Sequence, residues 1–167
     1  MEASERHLEM DGLMKGHYIL TLFLVDVLSK IRSIPKAIKK YAKIKGYKES
    51  GYLVVRSIKD GIVLLVLMLG NCPPKKAKKY LHIALERGER LFHHPNHVSS
   101  SQSQDKRNRK QEGAIVAGDY IVSFAGTTGP LDEAIAIELS VLCRWNSTDK
   151  AQEIADISRN HLYDYLK

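Results

Sequence analysis

The chain has 167 residues, 44% of them hydrophobic and 27% charged, which is the composition of one globular domain rather than of a disordered or fibrous protein. Its two cysteines, Cys72 and Cys143, lie far apart, and this spacing argues against a disulfide scaffold and against a cysteine-based metal site. Its longest apolar runs are too short to cross a membrane, so we expect a cytoplasmic protein without a membrane partner.

The net charge of +7 is concentrated in one basic block, residues 30–49. Such a block can bind an acidic protein or the phosphate backbone of a nucleic acid. The simpler interpretation is a solvated helix face, because no aromatic side chains for base stacking interleave with the lysines. The candidates for contact with an anionic partner are Lys36, Lys39, Lys40 and Lys43.

The first elements along the chain are helical by their apolar spacing. Residues 1–15 form a polar N-terminal segment, and residues 16–167 are expected to form a single domain. Residues 16–32 fit a helix with a broad apolar face, although the run Tyr18–Val25 also suits a buried strand. Residues 35–45 fit a short basic amphipathic helix that ends near Gly46.

The middle of the chain carries the clearest strand signal. Tyr52–Ile58 and Ile62–Leu69 flank an Asp-Gly turn, which predicts a β-hairpin. The second run is apolar on both faces, so we expect it in the middle of a sheet that is covered on both sides. Apolar residues at helical spacing predict a helix over Lys75–Phe92, and a mobile loop is expected over residues 93–112.

The last third predicts a second hairpin and two helices. Strands are expected at Ala114–Ala117 and Tyr120–Ala125, and helices over Leu131–Trp145 and from Thr148 or Asp149 to Leu166. Hairpins interleaved with helices predict an α+β fold with an antiparallel sheet of four to five strands. This order of elements resembles that of the profilin, PAS and roadblock folds.

Three histidines, His93, His94 and His97, form the densest group of metal-ligating side chains, and they could bind a divalent metal or a haem iron. Alternatively, they form a polar helix end that runs into a loop. The turn Gly126-Thr127-Thr128-Gly129 precedes a helix and could hold an anion, or it is simply a tight strand-to-helix turn. Asp132 and Glu133 could act as acid and base, but a favourable interaction with the helix dipole explains them more simply.

The second half resembles the GlcG/HbpS-like family of haem-binding or haem-degrading domains, over about residues 34–145. The matching motifs are Phe92-His93-His94-Pro95 at a helix end, Gly113-Ala114-Ile115-Val116 at a strand entry, and Ala125-Gly126 followed by Asp132-Glu133-Ala134-Ile135-Ala136. The chain departs from the family at Leu85-Glu86-Arg87-Gly88-Glu89, where the family has a Lys-Ala-x-Thr-Ala string.

The resemblance implies an oligomeric domain that binds haem or another tetrapyrrole between its helices and its sheet. His93, His94 and His97 are then the candidate iron ligands, and Gly126–Gly129 is the rim of the pocket. Two alternatives remain: a non-enzymatic protein-interaction module of profilin or roadblock shape, and a nucleic-acid binder that uses the basic helix at residues 35–45. No catalytic residue is predicted.

Overall fold

The structure is a computed structural model that describes residues 50–105, 107–108 and 110–165. The helices predicted at residues 16–32 and 35–45, with Lys36, Lys39, Lys40 and Lys43, lie outside the described residues. The strands are β1 (Gly51–Ser57), β2 (Val63–Leu69), β3 (Ala114–Ala117) and β4 (Tyr120–Ala125). The α-helices are α1 (Pro74–Phe92), α2 (Gly129–Leu142) and α3 (Thr148–Ser158), and short 3₁₀ helices span Ser100–Ser103 and Tyr163–Tyr165.

The four strands form one antiparallel sheet in the order β2-β1-β4-β3. Leu53 on β1 pairs with Leu67 on one side and with Phe124 on the other, so β1 and β4 occupy the centre. The prediction of an α+β fold with an antiparallel sheet is therefore confirmed, with four strands in the described part of the chain.

The two faces of the sheet carry different helices. On one face, Val54 and Ala125 pack against Ala84 of α1. On the other face, Leu53 and Phe124 belong to the main core, which also contains buried residues of α2 and α3. Neighbouring strand residues point to opposite faces, and the alternation of Leu53 with Val54 follows from this period of two. Cys143 is buried in the main core.

The ends of the helices differ from prediction by two or more residues at three places, and α1 begins one residue earlier than predicted, at Pro74. α2 begins at Gly129, two residues earlier than predicted, because Pro130 fits the first turn of a helix, where its missing N–H would have no partner. It ends at Leu142 rather than Trp145, and Arg144 then adopts a positive φ of 58°. α3 ends at Ser158 instead of continuing to Leu166, because Arg159 takes the left-handed conformation.

The prediction that β2 lies in the middle of the sheet is wrong for the described residues, in which β2 is an edge strand. Three of its apolar side chains are exposed, with 36% of Val63, 45% of Val66 and 47% of Met68 accessible. The reason is that β1 pairs with β4 on its other side, which leaves β2 outermost. An apolar run on both faces does not by itself fix the position of a strand.

The segment predicted as a loop, residues 93–112, contains the 3₁₀ helix Ser100–Ser103. Ser99 caps this helix by accepting a hydrogen bond from the Ser101 amide, and Gln102 completes a capping box. The mobility expected of this segment stays a prediction. Among the described residues, no helix is both long and apolar enough to cross a membrane.

Candidate functional site

The predicted histidine ligands lie at the carboxyl end of α1 and just beyond it. His93 is the C-cap residue, and its Nε2 lies 3.0 Å from Oε1 of Glu89, one turn earlier. His94 Nδ1 lies 2.7 Å from the carbonyl oxygen of Arg90. Two of the three imidazoles therefore have partners from their own helix, which agrees with the simpler interpretation of a polar helix end.

The rings of His94 and His97 are stacked, with centroids 5.0 Å apart and an angle of 14° between their planes. A metal ion binds in the plane of an imidazole, along the lone pair of its nitrogen, so two stacked parallel rings cannot share one ion in this arrangement. No group of three or more His, Cys, Asp or Glu among the described residues is placed to hold a metal ion. The segment does not fit a metal ion shared by all three histidines, and the assignment of His93, His94 and His97 as candidate haem-iron ligands stays a prediction.

The predicted anion turn, Gly126–Gly129, leads from β4 into α2. The amides of Gly126 and Thr127 donate to Oδ1 of Asp132 at 3.2 and 2.9 Å, and the Thr127 hydroxyl donates to the same oxygen at 2.7 Å. A side chain of the protein thus already accepts from two amides of the turn, so the turn does not offer these donors to an external anion.

Asp132 is also half of a buried ion pair. Its Oδ2 lies 2.7 Å from Nη1 of Arg87, and both side chains are at most 3% exposed. The same Nη1 donates to the carbonyl oxygen of Phe124 at 2.6 Å. Burial raises the pKa of the Asp132 carboxyl, and the Arg87 charge opposes that rise. The pair joins α1 to the start of α2 across the end of β4.

Glu133 is buried beside this pair. It accepts hydrogen bonds from the Ser99 hydroxyl and, at 2.9 Å, from Nδ2 of Asn160. Burial raises the pKa of the Glu133 carboxyl, and these two donors oppose the rise. Sequence analysis explained Asp132 and Glu133 by the helix dipole, but the structure gives each carboxylate its own buried partners. We call Arg87, Asp132, Glu133, Ser99 and Asn160 the buried polar cluster.

A second buried arginine, Arg90, fixes the segment that follows α1. Its Nη1 donates to the carbonyl oxygens of Ser100 and Ser103 at 2.7 and 2.8 Å, and its Nη2 donates to that of Gln111 at 2.6 Å. Charged donors make strong hydrogen bonds to carbonyl groups when they are shielded from water. Arg90 therefore holds Ser100, Ser103 and Gln111 near α1, and Gln104 and Lys110–Glu112 lie opposite the start of α2.

Two cavities result from this placement. The larger cavity has a volume of about 570 Å³, and the smaller has about 210 Å³. Lys110 and Gln111 line both cavities, so the two are adjacent. The larger is lined by Gln104, Lys110, Gln111, Glu112, Thr127, Thr128, Gly129 and Pro130. The smaller is lined by His82, Ile83, Glu86, Arg87, Asn108, Lys110 and Gln111.

The candidate site residues fall into two groups. Thr127, Thr128 and Gly129 of the predicted turn line the larger cavity, and Gly126 does not. His93, His94 and His97 line neither cavity. The structure therefore does not bring the histidines to the turn, and a ligand in the larger cavity would not contact them.

The polar lining of the larger cavity mixes charges and neutral hydrogen-bonding groups. Lys110 and Glu112 provide opposite charges, and Gln104 donates a hydrogen bond to the Glu112 carboxylate. That carboxylate lies against Gly129, where a Cβ would come within 2.9 Å of its Cδ. A carboxylate at this position is favoured by the positive end of the α2 dipole.

Comparison with known proteins found no matching family model, no matching curated protein and no matching solved structure. The functional assignment accordingly depends on the geometry and chemistry of the chain's own residues.

Proposed function

We propose that this domain binds a small polar ligand in the larger cavity, which lies between the start of α2 and the residues Gln104 and Lys110–Glu112. The observation that supports the proposal is that three of the four residues of the turn Gly126–Gly129, namely Thr127, Thr128 and Gly129, line a cavity of about 570 Å³, whereas Gly126 does not. Ligand pockets of this size are common in proteins, and they carry a few polar groups that orient the ligand.

The lining favours a ligand that both donates and accepts hydrogen bonds. Glu112 can accept, Lys110 can donate, and the Thr128 hydroxyl can do either, whereas the Thr127 hydroxyl, which donates to Asp132, can accept. Zwitterionic amino acids, hydroxy acids and sugar phosphates have this mixture of groups. We keep haem or another tetrapyrrole as the ligand implied by the family resemblance, and its candidate iron ligands remain His93, His94 and His97.

A thermal-shift screen of the full chain tests the proposal. The probes are individual amino acids, hydroxy acids, sugar phosphates and hemin. Thr128→Trp fills the larger cavity, and Thr148→Trp is its matched control, because Thr148 is exposed at the start of α3. We expect at least one polar probe to raise the Tm of the native chain and of Thr148→Trp, but not that of Thr128→Trp.

Two results would overturn the proposal. One is that no polar probe raises the Tm, and the other is that a probe raises the Tm of Thr128→Trp as much as that of the native chain. A saturable Soret band with hemin that persists in Thr128→Trp and is lost in the His93, His94 and His97 triple alanine variant would move the ligand site to the histidines.

Self-association follows only from the resemblance and is likewise a proposal. Sedimentation of the full chain at several concentrations tests it, and a single monomer boundary throughout would contradict it.

A further inference from the structure

The smaller cavity contains a buried arginine whose hydrogen bonding is incomplete. Arg87 lines this cavity, and its side chain is 3% exposed. Among the described residues only Nη1 has partners, namely Asp132 and Phe124. Nε is buried with no hydrogen-bond partner, and Nη2 has none among the described residues, so two nitrogens of this side chain are available to an acceptor in the cavity that Arg87 lines. A buried donor without an acceptor is costly, so this guanidinium is suited to an acceptor that arrives from outside.

The charges around the smaller cavity favour a negatively charged acceptor. Asp132 is paired with Arg87, and the Glu86 carboxylate lies 2.9 Å from Nε of Arg90, so both nearby carboxylates are neutralised by arginines. Lys110 adds a positive charge to the cavity wall, and the Asp105 carboxylate, which interacts with that charge, does not line the cavity. Asn108 and Gln111 supply neutral amide groups at the same wall.

We propose that the smaller cavity binds the oxyanion of the ligand, a carboxylate or a phosphate group, between Arg87 and Lys110. The body of the ligand would occupy the larger cavity, because Lys110 and Gln111 line both spaces. This inference therefore rests on the proposed function, and it adds that the ligand is acidic. A guanidinium and an ammonium group are the side chains that proteins use to bind carboxylates and phosphates.

Nuclear magnetic resonance of the full chain can test the site through one signal. The Arg87 Nε–H group is buried, so its side-chain resonance is expected to be protected from exchange with water and visible. The probes are inorganic phosphate and acetate, which separate the two kinds of oxyanion. We expect one of them to shift the Arg87 signal in a saturable way at constant ionic strength.

Two variants and one control test whether the anion binds between Arg87 and Lys110. Lys110→Gln should weaken binding of the shifting anion by about tenfold, since it removes one charge-assisted hydrogen bond. Arg87→Lys keeps a charge beside Asp132 but has no second nitrogen for the cavity, so it should abolish saturable binding. Lys150→Gln, at an exposed position of α3, should bind like the native chain. The Tm of each variant establishes that it is folded.

The outcomes separate this inference from the proposed function. If neither anion shifts the Arg87 signal, or if Lys110→Gln and Lys150→Gln bind equally well, the anion site is wrong. The proposed function still stands in that case if a polar probe stabilises the native chain but not Thr128→Trp. Suppose instead that an anion binds as expected, but every polar probe raises the Tm of Thr128→Trp as much as that of the native chain. The anion site is then supported, and the larger cavity is not the ligand site.

Discussion

The buried polar cluster and the β2 edge distribute polar and apolar groups in opposite ways. In the cluster, Asp132 and Glu133 are each only 1% exposed. At the β2 edge, formed by Val63, Val66 and Met68, more than a third of each apolar side chain is exposed among the described residues. Hydropathy alone would place these two sets of residues the other way round.

This comparison shows that the hydrogen-bonding partners of a side chain, and not its hydropathy, determine whether it can be buried in the cluster. A buried charge is tolerated when an opposite charge and further hydrogen bonds satisfy it, as Arg87 and Thr127 do for Asp132. An apolar side chain at an open edge of the sheet stabilises the fold only in proportion to the area that it buries. Substitutions in the cluster should therefore cost far more than substitutions at the edge.

The largest effect is expected from Asp132→Ala. It leaves the Arg87 guanidinium buried without its carboxylate, and we expect the free energy of unfolding to fall by about 3–5 kcal/mol. Urea denaturation at pH 7 measures it. The matched control is Glu153→Ala, which breaks the exposed pair with Lys150 and should cost at most about 1 kcal/mol. Equal losses in the two variants would show that the buried ion pair contributes no more to the free energy of unfolding than the exposed pair does.

A smaller but more direct comparison uses two apolar residues of the same hairpin. Leu53 is fully buried on β1, whereas 47% of Met68 on β2 is exposed. Leu53→Ala should lower the free energy of unfolding by about 2–5 kcal/mol, and Met68→Ala by less than about 1 kcal/mol. Urea midpoints of both variants measure the difference. A loss at Met68 as large as that at Leu53 would mean that the β2 edge is covered in the full chain.

The elements that sequence analysis placed well have local signals. The hairpin turn contains Gly61 with a positive φ of 73°, which glycine adopts easily, and α1 begins at the Pro73-Pro74 break. The edge position of β2 has no local signal, because it depends on the pairing of β1 with β4, which is distant in sequence. The end of α3 lacks one too, since Arg159 is not a residue type that predicts a left-handed cap.

The candidate site could be predicted only in part, because only part of it has a local signal in the sequence. The turn before α2 could be found from its Gly-Thr-Thr-Gly pattern, and three of its residues line the larger cavity. Arg87 was missed, although it lies three residues after Ala84 and four before Leu91 on the buried stripe of α1, where an arginine is unusual. The cavities themselves could not be predicted, because they depend on how Arg90 positions Ser100, Ser103 and Gln111, which follow α1 in the chain.

The smallest effect, and the one that most sharpens the comparison, is expected from Glu133→Gln. The glutamine can accept from Asn160 through its oxygen and donate to the Ser99 hydroxyl through its nitrogen, so the buried contacts are kept while the charge is lost. Because burial raises the pKa of Glu133 in the folded state, its contribution to stability is full below the ordinary pKa of glutamate and is lost as the pH rises through the folded value.

Measured at intervals from about pH 4, near the ordinary glutamate pKa, to about pH 8, the Tm of the native chain should therefore fall relative to that of Glu133→Gln. The exposed control Glu153→Gln should run parallel to the native chain, and a native-minus-variant difference that does not change with pH would show that Glu133 keeps an ordinary pKa despite its burial.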